Sequence, residues 1–478
     1  MNFRIVLHLL GWLLLSLAAM LLTPIPLSLY YADGQIVSFV FSAVVTAIAG
    51  AILLRAFRTR GVITLREGFA IVTFSWIAFA LFGSLPYMFS GSLPHPIDAF
   101  FESMSGFTTC GASVFTDVEA NPKSLLFWRA LTQWIGGMGI IVLSVAILPL
   151  LGVGGMQLYE AEAAGPPSER LTPRIQDTAR LLWGVYALLT AVGAVVLWVG
   201  EMDLFDAVCH SFCALSTGGF STRNASVGAF GSYSQVVIIV LMTVGTTSFT
   251  LHYFALRGQV WRYWSSSEFR FYLEIFAAGV LLAVLFNWRQ YDNQLLNLRD
   301  SAFSIATIFS TSGFATANYE LWPVFVQGML FGAMFVGGCG GSTAGGLKQI
   351  RVLLALKHAV LQTARLIHPR QVTVLKLDER PVSDSIMQAV LGFIVLFLGT
   401  FLVASLLLAA SGVDLITAGS GVIACLSTVG PGLGEVGPLD NYAALPYFAK
   451  VVLCMCMLLG RLEISTVLVL VFASFWKK

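Results

Sequence analysis

Four short clusters of threonine, serine and glycine recur along a strongly apolar chain, and they contain the residues best suited to chemistry. The clusters read TTCGA, STGGF, STSGF and STVGPG, and they begin at Thr108, Ser216, Ser310 and Ser427. Small side chains leave peptide carbonyls accessible, and glycine permits backbone angles that other residues avoid. A ring of carbonyls can replace the hydration shell of a potassium ion. The clusters therefore favour binding of a cation by the backbone.

Catalysis by these hydroxyl groups is disfavoured because no histidine or carboxylate recurs beside them as a base. His210 and Glu102 are candidates for an intramembrane enzyme, but neither recurs at the other clusters. The alternative is a purely structural role, in which the clusters are small-residue helix caps at a packed interface. The formal net charge of +2 gives no indication of nucleic-acid binding.

Each cluster follows a segment that is too apolar for an ordinary loop and too short to cross a bilayer. One polar residue precedes the cluster glycine by 13 residues in every copy, namely Asp98, Asp206, Asp300 and Thr417. Aspartate and threonine are frequent N-cap residues. Eleven helical residues rise about 16 Å, half the thickness of the hydrocarbon core. We therefore expect four capped half-helices that enter the membrane and stop at the clusters.

The composition indicates that the bilayer is the main solvent. Of the 478 residues, 57% are hydrophobic and 11% are charged, whereas soluble proteins carry about 25% charged residues. The seven cysteines form no CxxC pair and are expected to be free thiols. A helical span needs about 20 apolar residues. The apolar runs give ten candidate spans: 7–27, 36–54, 69–90, 126–153, 181–199, 234–256, 271–288, 321–365 (interrupted), 386–411 and 445–475.

Basic residues predict how these spans are oriented. Arg55 and Arg58 follow the second span, Arg257 and Arg262 the sixth, and Lys357 lies at the end of the eighth. These residues fall on one side of the membrane if the chain alternates strictly. By the positive-inside rule that side is cytoplasmic, and so are both termini.

A unit of span, half-helix, glycine loop and span occurs four times in the same orientation. The expected fold is an all-α polytopic membrane protein with four pseudo-fourfold repeats around one central pore. We assign an N-terminal transmembrane hairpin to residues 1–60 and the pore repeats to residues 61–165, 166–262, 263–370 and 371–478. Four helix C-termini aimed at one axis carry partial negative charge, which favours a cation.

The clusters behind short half-helices resemble the selectivity filters of the Trk/Ktr/HKT superfamily of potassium transporters. The resemblance covers essentially the whole chain, and the two extra N-terminal spans look like those of the bacterial Trk membrane subunit. In the superfamily, serine in place of the first filter glycine goes with sodium permeation, so Gly111 implies selectivity for potassium. The resemblance assigns the filter to Thr109, Cys110, Gly111, Thr217, Gly218, Gly219, Thr311, Ser312, Gly313, Thr428, Val429 and Gly430.

The same resemblance implies the biological setting. It implies potassium as the transported ion, no organic cofactor in this chain, a bacterial inner membrane and a homodimer. It also implies cytosolic TrkA-type regulatory subunits that bind NAD or ATP-class nucleotides. Channel-like flux and coupling to protons or sodium both stay open. A secondary transporter of an organic substrate is a rival, although such folds typically break two helices in inverted halves.

A glycine-rich segment, GGCGGSTAGGLKQIR, interrupts the eighth span between Gly337 and Arg351. Each glycine disfavours a helix by about 1 kcal/mol relative to alanine. A phosphate-binding loop is excluded because leucine, not glycine, precedes Lys348 and no strand leads in. Close helix packing through small residues is the alternative. We favour an intramembrane loop over residues 337–346, and the resemblance implies that this loop is a gate.

Arg461 lies within the last apolar run, where an arginine normally faces protein or water. Our hypothesis is that it reaches carbonyls of the glycine-rich loop or obstructs the cavity, with a contribution from Lys348. The alternative is an ion pair with a carboxylate on another helix. The predicted gate residues are Gly337, Gly338, Gly340, Gly341, Ser342, Thr343, Gly345, Gly346, Lys348 and Arg461.

Overall fold

The protein is mostly helical, as the sequence predicts. The computed structural model describes residues 1–59, 65–146, 175–368, 374–378 and 380–476. Within these ranges six helices are each long and apolar enough to cross a membrane, and two bent helix pairs raise the number to at most eight. The proposed repeat boundaries near residues 60, 165 and 370, and residues 147–153 of the fourth expected span, lie outside the described ranges.

An N-terminal hairpin precedes the repeats. It consists of helices Phe3–Met20, Ile25–Tyr31 and Ile36–Ala56. Gly11 and Gly50 let the two long helices approach closely, because a Cβ on either glycine would lie 2.9 Å from the carbonyl oxygen of the other. Asp33 joins the hairpin to the first repeat by accepting a hydrogen bond from the backbone N–H of Ser124 (3.0 Å).

The four repeats follow the expected order of span, half-helix, loop and inner helix. Repeat one contains helices Leu65–Gly83, Leu85–Phe89, Pro96–Phe107 and Lys123–Ala146. Repeat two contains Ile175–Val199, Leu204–Leu215, a 3₁₀ turn at Ser226–Ala229, Ser232–Thr246, Phe249–Leu256 and Arg262–Ser265. Repeat three contains Ser267–Asn287, Gln294–Phe309, a 3₁₀ turn at Tyr319–Leu321, Val324–Ala333 and Gln349–Ile367.

Repeat four begins with a small antiparallel pair of strands that joins Lys376–Leu377 to Arg380–Pro381. Its helices are Asp384–Ala410, Leu415–Leu426, Tyr447–Arg461, Ser465–Leu468 and Ala473–Trp476, with 3₁₀ turns at Gly434–Val436 and Val469–Val471. The four half-helices of the protein are therefore Pro96–Phe107, Leu204–Leu215, Gln294–Phe309 and Leu415–Leu426. Each ends four residues before its cluster glycine.

The half-helices are confirmed, but the expected N-caps are wrong. The observed N-cap residues are His95, Asp203, Asn293 and Asp414, whose side chains accept hydrogen bonds from backbone N–H groups of the first turn. In copies one, two and four, the predicted caps Asp98, Asp206 and Thr417 are the third helical residues, where the partner position of a capping box lies. Asp300 lies in mid-helix, because the third half-helix begins one turn earlier.

Two expected spans are not single helices. Within span 234–256, helices Ser232–Thr246 and Phe249–Leu256 meet at 103°. Within span 445–475, Tyr447–Arg461 and the following segment meet at 109°. Backbone groups freed at the first break pair with the glycine-rich loop, since Phe249 N donates to the Gly341 carbonyl (3.1 Å). Such irregular backbone is tolerated at membrane depth where it is buried in protein.

Glycines on three inner helices allow close contact with the ends of the half-helices. A Cβ on Gly136, Gly245 or Gly460 would overlap or crowd the carbonyl oxygen of the last half-helix residue of the same repeat. The residues touched in this way are Phe107, Leu215 and Leu426. The inner helices therefore fix the depth at which the half-helices stop.

Candidate cation-binding site

The four clusters share one backbone conformation. We call residues Thr109–Gly111, Thr217–Gly219, Thr311–Gly313 and Thr428–Gly430 the TxG loops. The φ angle is 54°, 53°, 55° and 57° at the four threonines and 86°, 79°, 79° and 98° at the four glycines. Positive φ at a β-branched residue is rare and strained, and such strain concentrates at functional sites. The sequence indicated the role of the glycines but gave no sign of left-handed threonines.

Each TxG loop turns the N–H groups of its first two residues back toward its half-helix. The N–H of the middle residue donates to the carbonyl five residues earlier, at 2.9, 2.8, 2.9 and 2.7 Å in copies one to four. This is the hydrogen bond of a Schellman motif, with threonine at the left-handed position that glycine usually holds. Ten of the twelve loop carbonyls accept no hydrogen bond from the described part of the chain. The loops therefore keep acceptors free for a cation.

The loops form a closed ring. A Cβ on Gly111 would collide with the carbonyl oxygen of Gly218 in the next loop. The same relation repeats three times, between Gly219 and Ser312, Gly313 and Val429, and Gly430 and Cys110. Because the fourth loop contacts the first, all twelve predicted filter residues surround one axis. We call this arrangement the carbonyl ring.

A buried ion pair supports the first two loops from behind. Arg129 Nε donates to Glu102 Oε1 at 2.5 Å, and both side chains are almost fully buried. Glu102 also accepts from Val114 N (2.9 Å), while Arg129 Nη1 donates to the Ser221 carbonyl (2.9 Å). The pair thus joins the segments that follow loops one and two. Sequence reasoning missed Arg129, although an arginine inside the apolar run 126–153 was the available signal.

Three of the predicted caps form ion pairs. Asp300 pairs with the adjacent Arg299 (2.9 Å), and the other two pairs lie at the outer ends of their half-helices. Asp98 accepts from Lys450 Nζ at 2.6 Å, which links the first and fourth repeats. Asp206 accepts from Arg223 Nη2 at 2.7 Å and from Thr222 Oγ1 at 2.7 Å. These contacts hold half-helices in place and lie away from the carbonyl ring.

The glycine-rich loop packs directly against the TxG loops. Gly345 N donates to Thr311 Oγ1 (2.8 Å), and Thr343 Oγ1 lies 3.4 Å from Thr217 Oγ1. Thr343 Oγ1 also reaches the Leu215 carbonyl (2.9 Å) at the end of the second half-helix. The interruption of the helix is confirmed, because residues between Ala333 and Gln349 form an irregular loop. Small-residue packing alone does not account for that loop.

Arg461 contacts this loop as the sequence predicted. It is the last residue of helix Tyr447–Arg461 and is 3% exposed. Its Nη1 donates to the Thr343 carbonyl (2.7 Å), and Nη2 donates to the Gly136 carbonyl (3.0 Å). No carboxylate lies within ion-pair distance of Arg461 among the described residues.

Three further groups fix the ends of the glycine-rich loop. Lys348 Nζ donates to the Ala344 carbonyl (2.5 Å). Glu268 Oε1 accepts from Gly340 N (2.7 Å) and Ile350 N (3.1 Å), so one buried carboxylate joins the middle of the loop to the helix that follows it. Arg351 pairs with Glu463 (2.7 Å). The sequence did not indicate Glu268, which lies 72 residues from Gly340.

Other site chemistry is not supported within the described ranges. No group of three or more histidine, cysteine, aspartate or glutamate residues there is placed to hold a metal ion. His210 is buried, with ring nitrogens 2.8 Å from the Asp206 carbonyl and 2.9 Å from Ser221 Oγ. The first contact lies within the second half-helix and the second joins it to its following loop, so both ring nitrogens have partners.

Comparisons with known proteins agree with this geometry. A family model described as TrkH, cation transport protein, matches residues 35–478. The chain is 42% identical to the Trk system potassium uptake protein TrkH of Halomonas elongata and 40% identical to that of Escherichia coli K12, over 100% of this chain and of each relative. The crystal structure of the potassium transporter TrkH from Vibrio parahaemolyticus matches with a TM-score of 0.92 and 38% identity over 100% of both chains.

Proposed function

Because this chain belongs to the TrkH family of cation transport proteins, we propose that it takes up potassium through the carbonyl ring. The carrying observation is the closed ring of four TxG loops, in which the threonine and middle-residue N–H groups donate to the half-helices while ten carbonyls stay free. Carbonyl dipoles replace water around a weakly hydrated monovalent cation. Its full-length relatives are potassium uptake proteins of the Trk system by name, which supports potassium as the cargo.

The glycine-rich loop and Arg461 serve as the gate in this proposal. The loop lies between the carbonyl ring and the broken inner helices, and it touches threonines of two TxG loops. An ion leaving the ring toward the cytoplasm meets this loop first. Hydrogen bonds from Arg461 and Thr343 hold it there, so uptake requires the loop to move. The ion gradient and membrane potential drive the flux, at about 2.3 kcal/mol per charge per 100 mV.

We place the protein in a bacterial inner membrane with both termini in the cytoplasm, because basic residues follow the even-numbered spans. We divide it into the hairpin 1–60 and the four repeats given above. We further propose a homodimer, regulated by cytosolic TrkA-type subunits that bind NAD or ATP-class nucleotides.

Rubidium uptake into liposomes tests the carbonyl ring. Purified protein should load ⁸⁶Rb⁺ down a potential, with excess potassium competing and excess sodium competing weakly. Gly313→Ser should lower the preference for potassium, because a Cβ there would collide with the Val429 carbonyl of the next loop. Equal competition by sodium and potassium in the unaltered protein, or unchanged preference in a folded Gly313→Ser variant, contradicts the proposal.

A further inference from the structure

The second TxG loop differs from the other three at its middle residue. The middle residues are Cys110, Ser312 and Val429 in copies one, three and four, but Gly218 in copy two. Copy two therefore has two consecutive glycines, and glycine has the largest backbone freedom of any residue. Left to itself, this loop would be the most flexible of the four.

Gln133 occupies the space that a side chain on Gly218 would need. A Cβ on Gly218 would collide with the side-chain amide of Gln133. Gln133 is fully buried and lies on the inner helix Lys123–Ala146 of the preceding repeat. The amide of Gln133 thus replaces a side chain that the second loop lacks.

The same amide holds the second loop by two hydrogen bonds. Gln133 Nε2 donates to the Gly218 carbonyl at 2.6 Å, and Gln133 Oε1 accepts from Phe220 N at 3.1 Å. The two bonds lie on either side of Gly219. Among the four middle-residue carbonyls of the carbonyl ring, only that of Gly218 accepts a side-chain hydrogen bond from the described residues.

Gln133 also differs in residue type from its counterparts in the other three repeats. It lies three residues before Gly136, the glycine that contacts the end of the first half-helix. Gly245 and Gly460 make the same contact in repeats two and four, and the residues three before them are Met242 and Met457. In repeat three, Met334 precedes Gly337 by three residues, and all three methionines are fully buried. Methionine has nearly the length of glutamine but no N–H donor. An amide is present only where the facing loop carries a middle glycine.

We propose that Gln133 is a positioning residue that sets the ion selectivity of the carbonyl ring. This inference rests on the proposed potassium filter and deepens it. Gln133 holds the Gly218 carbonyl at the distance from the ring axis that the other three loops set. It thereby prevents Gly218 and Gly219 from closing around a smaller ion. Without the amide, the second loop adapts to sodium, and discrimination between the two ions falls.

The variant Gln133→Met tests this role with the residue that the other repeats use. The ratio of potassium to sodium permeability should fall about fivefold, which is the change in an equilibrium constant that one net hydrogen bond produces. The maximal rubidium flux should change by a smaller factor than the permeability ratio, because the pore stays open. A merely structural role predicts the opposite pattern, with reduced amounts of folded protein and unchanged selectivity.

A double-mutant cycle supplies an independent test. Gly218→Ala should impair selectivity strongly beside Gln133, and less when combined with Gln133→Ala, because removal of the amide leaves room for the new methyl group. Effects that simply add would overturn the assignment. Gly313→Ser serves as the reference variant. If it lowers selectivity while Gln133→Met and the cycle show nothing, only the role of Gln133 fails; if Gly313→Ser also has no effect, the filter itself fails.

Discussion

The substitution Arg461→Ala removes a buried guanidinium that joins the glycine-rich loop to the fourth and first repeats. Arg461 donates to the carbonyls of Thr343 and Gly136 at 2.7 and 3.0 Å. Thr343 belongs to the loop, whereas Gly136 lies on an inner helix. Opening of the loop therefore breaks the bond to Thr343 and leaves the bond to Gly136 in place.

The size of the effect follows from that one bond. A hydrogen bond from a charged donor contributes about 1.5–3 kcal/mol. Losing it raises the open-to-closed ratio about 10- to 150-fold. Basal rubidium uptake, measured without any regulatory subunit, should therefore rise by more than about tenfold as long as the closed state still predominates. Single-channel recording should show the rise as open probability with unchanged conductance.

Two matched variants separate gating from general damage. Arg461→Lys keeps the charge but has a compact ammonium group in place of the planar guanidinium fork, so its basal flux should lie between those of the parent and Arg461→Ala. Arg270→Ala removes an exposed arginine and should leave the basal flux unchanged. The gate assignment is refuted if Arg461→Ala folds normally and its basal flux equals that of the parent protein.

The remaining predictions concern the loop contact and the hairpin. Thr311→Val removes the acceptor of the Gly345 N–H and should raise the basal flux several-fold. Thr109→Val should leave the basal flux unchanged, because the Thr109 hydroxyl finds no partner among the described residues. Equal effects of the two variants in single-channel recording would contradict a role of the Gly345–Thr311 contact in gating. Burial raises the pKa of Asp33, but hydrogen bonds from Ser28, Ser124 and Gln35 outweigh it and hold that pKa below its ordinary value. The stabilisation is therefore present above pH ~4 and lost as the pH falls through the lowered pKa. Asp33→Asn should lower the melting temperature at pH 7 by more than at pH 3, and a pH-independent difference would refute this linkage.

The half-helices and their end points were predictable because they depend on local pattern. Aspartate or threonine 13 residues before each cluster glycine marks an equivalent position in all four copies. The residue at that position was misassigned as the cap because Asp203 and Asp414 precede Asp206 and Thr417 by three residues, and both members of such a pair suit a helix start. Only the backbone geometry shows which member of each pair is the N-cap.

The breaks in the inner helices were not predictable from hydropathy. The run through Thr246, Thr247 and Ser248 is as apolar on average as an intact span, so nothing in its composition marks a 103° bend. The bend depends on acceptors and donors supplied by the glycine-rich loop, about 95 residues later in the chain.

Contacts between repeats explain the other omissions. Gln133 and Gly218 are 85 residues apart, and Glu268 and Ile350 are 82 residues apart. A buried glutamine in an apolar run is a weak signal by itself. It gains meaning only when the ring places it against the one TxG loop with a middle glycine.

In this proposal the four TxG loops bind the transported ion on their common axis. A crystal structure in rubidium chloride, with anomalous data collected at the rubidium edge, would locate the ion. We expect anomalous peaks on that axis, within coordination distance of carbonyls from all four TxG loops, and their loss in sodium chloride. Rubidium peaks confined to other parts of the protein, with none between the loops, would rule out this binding site.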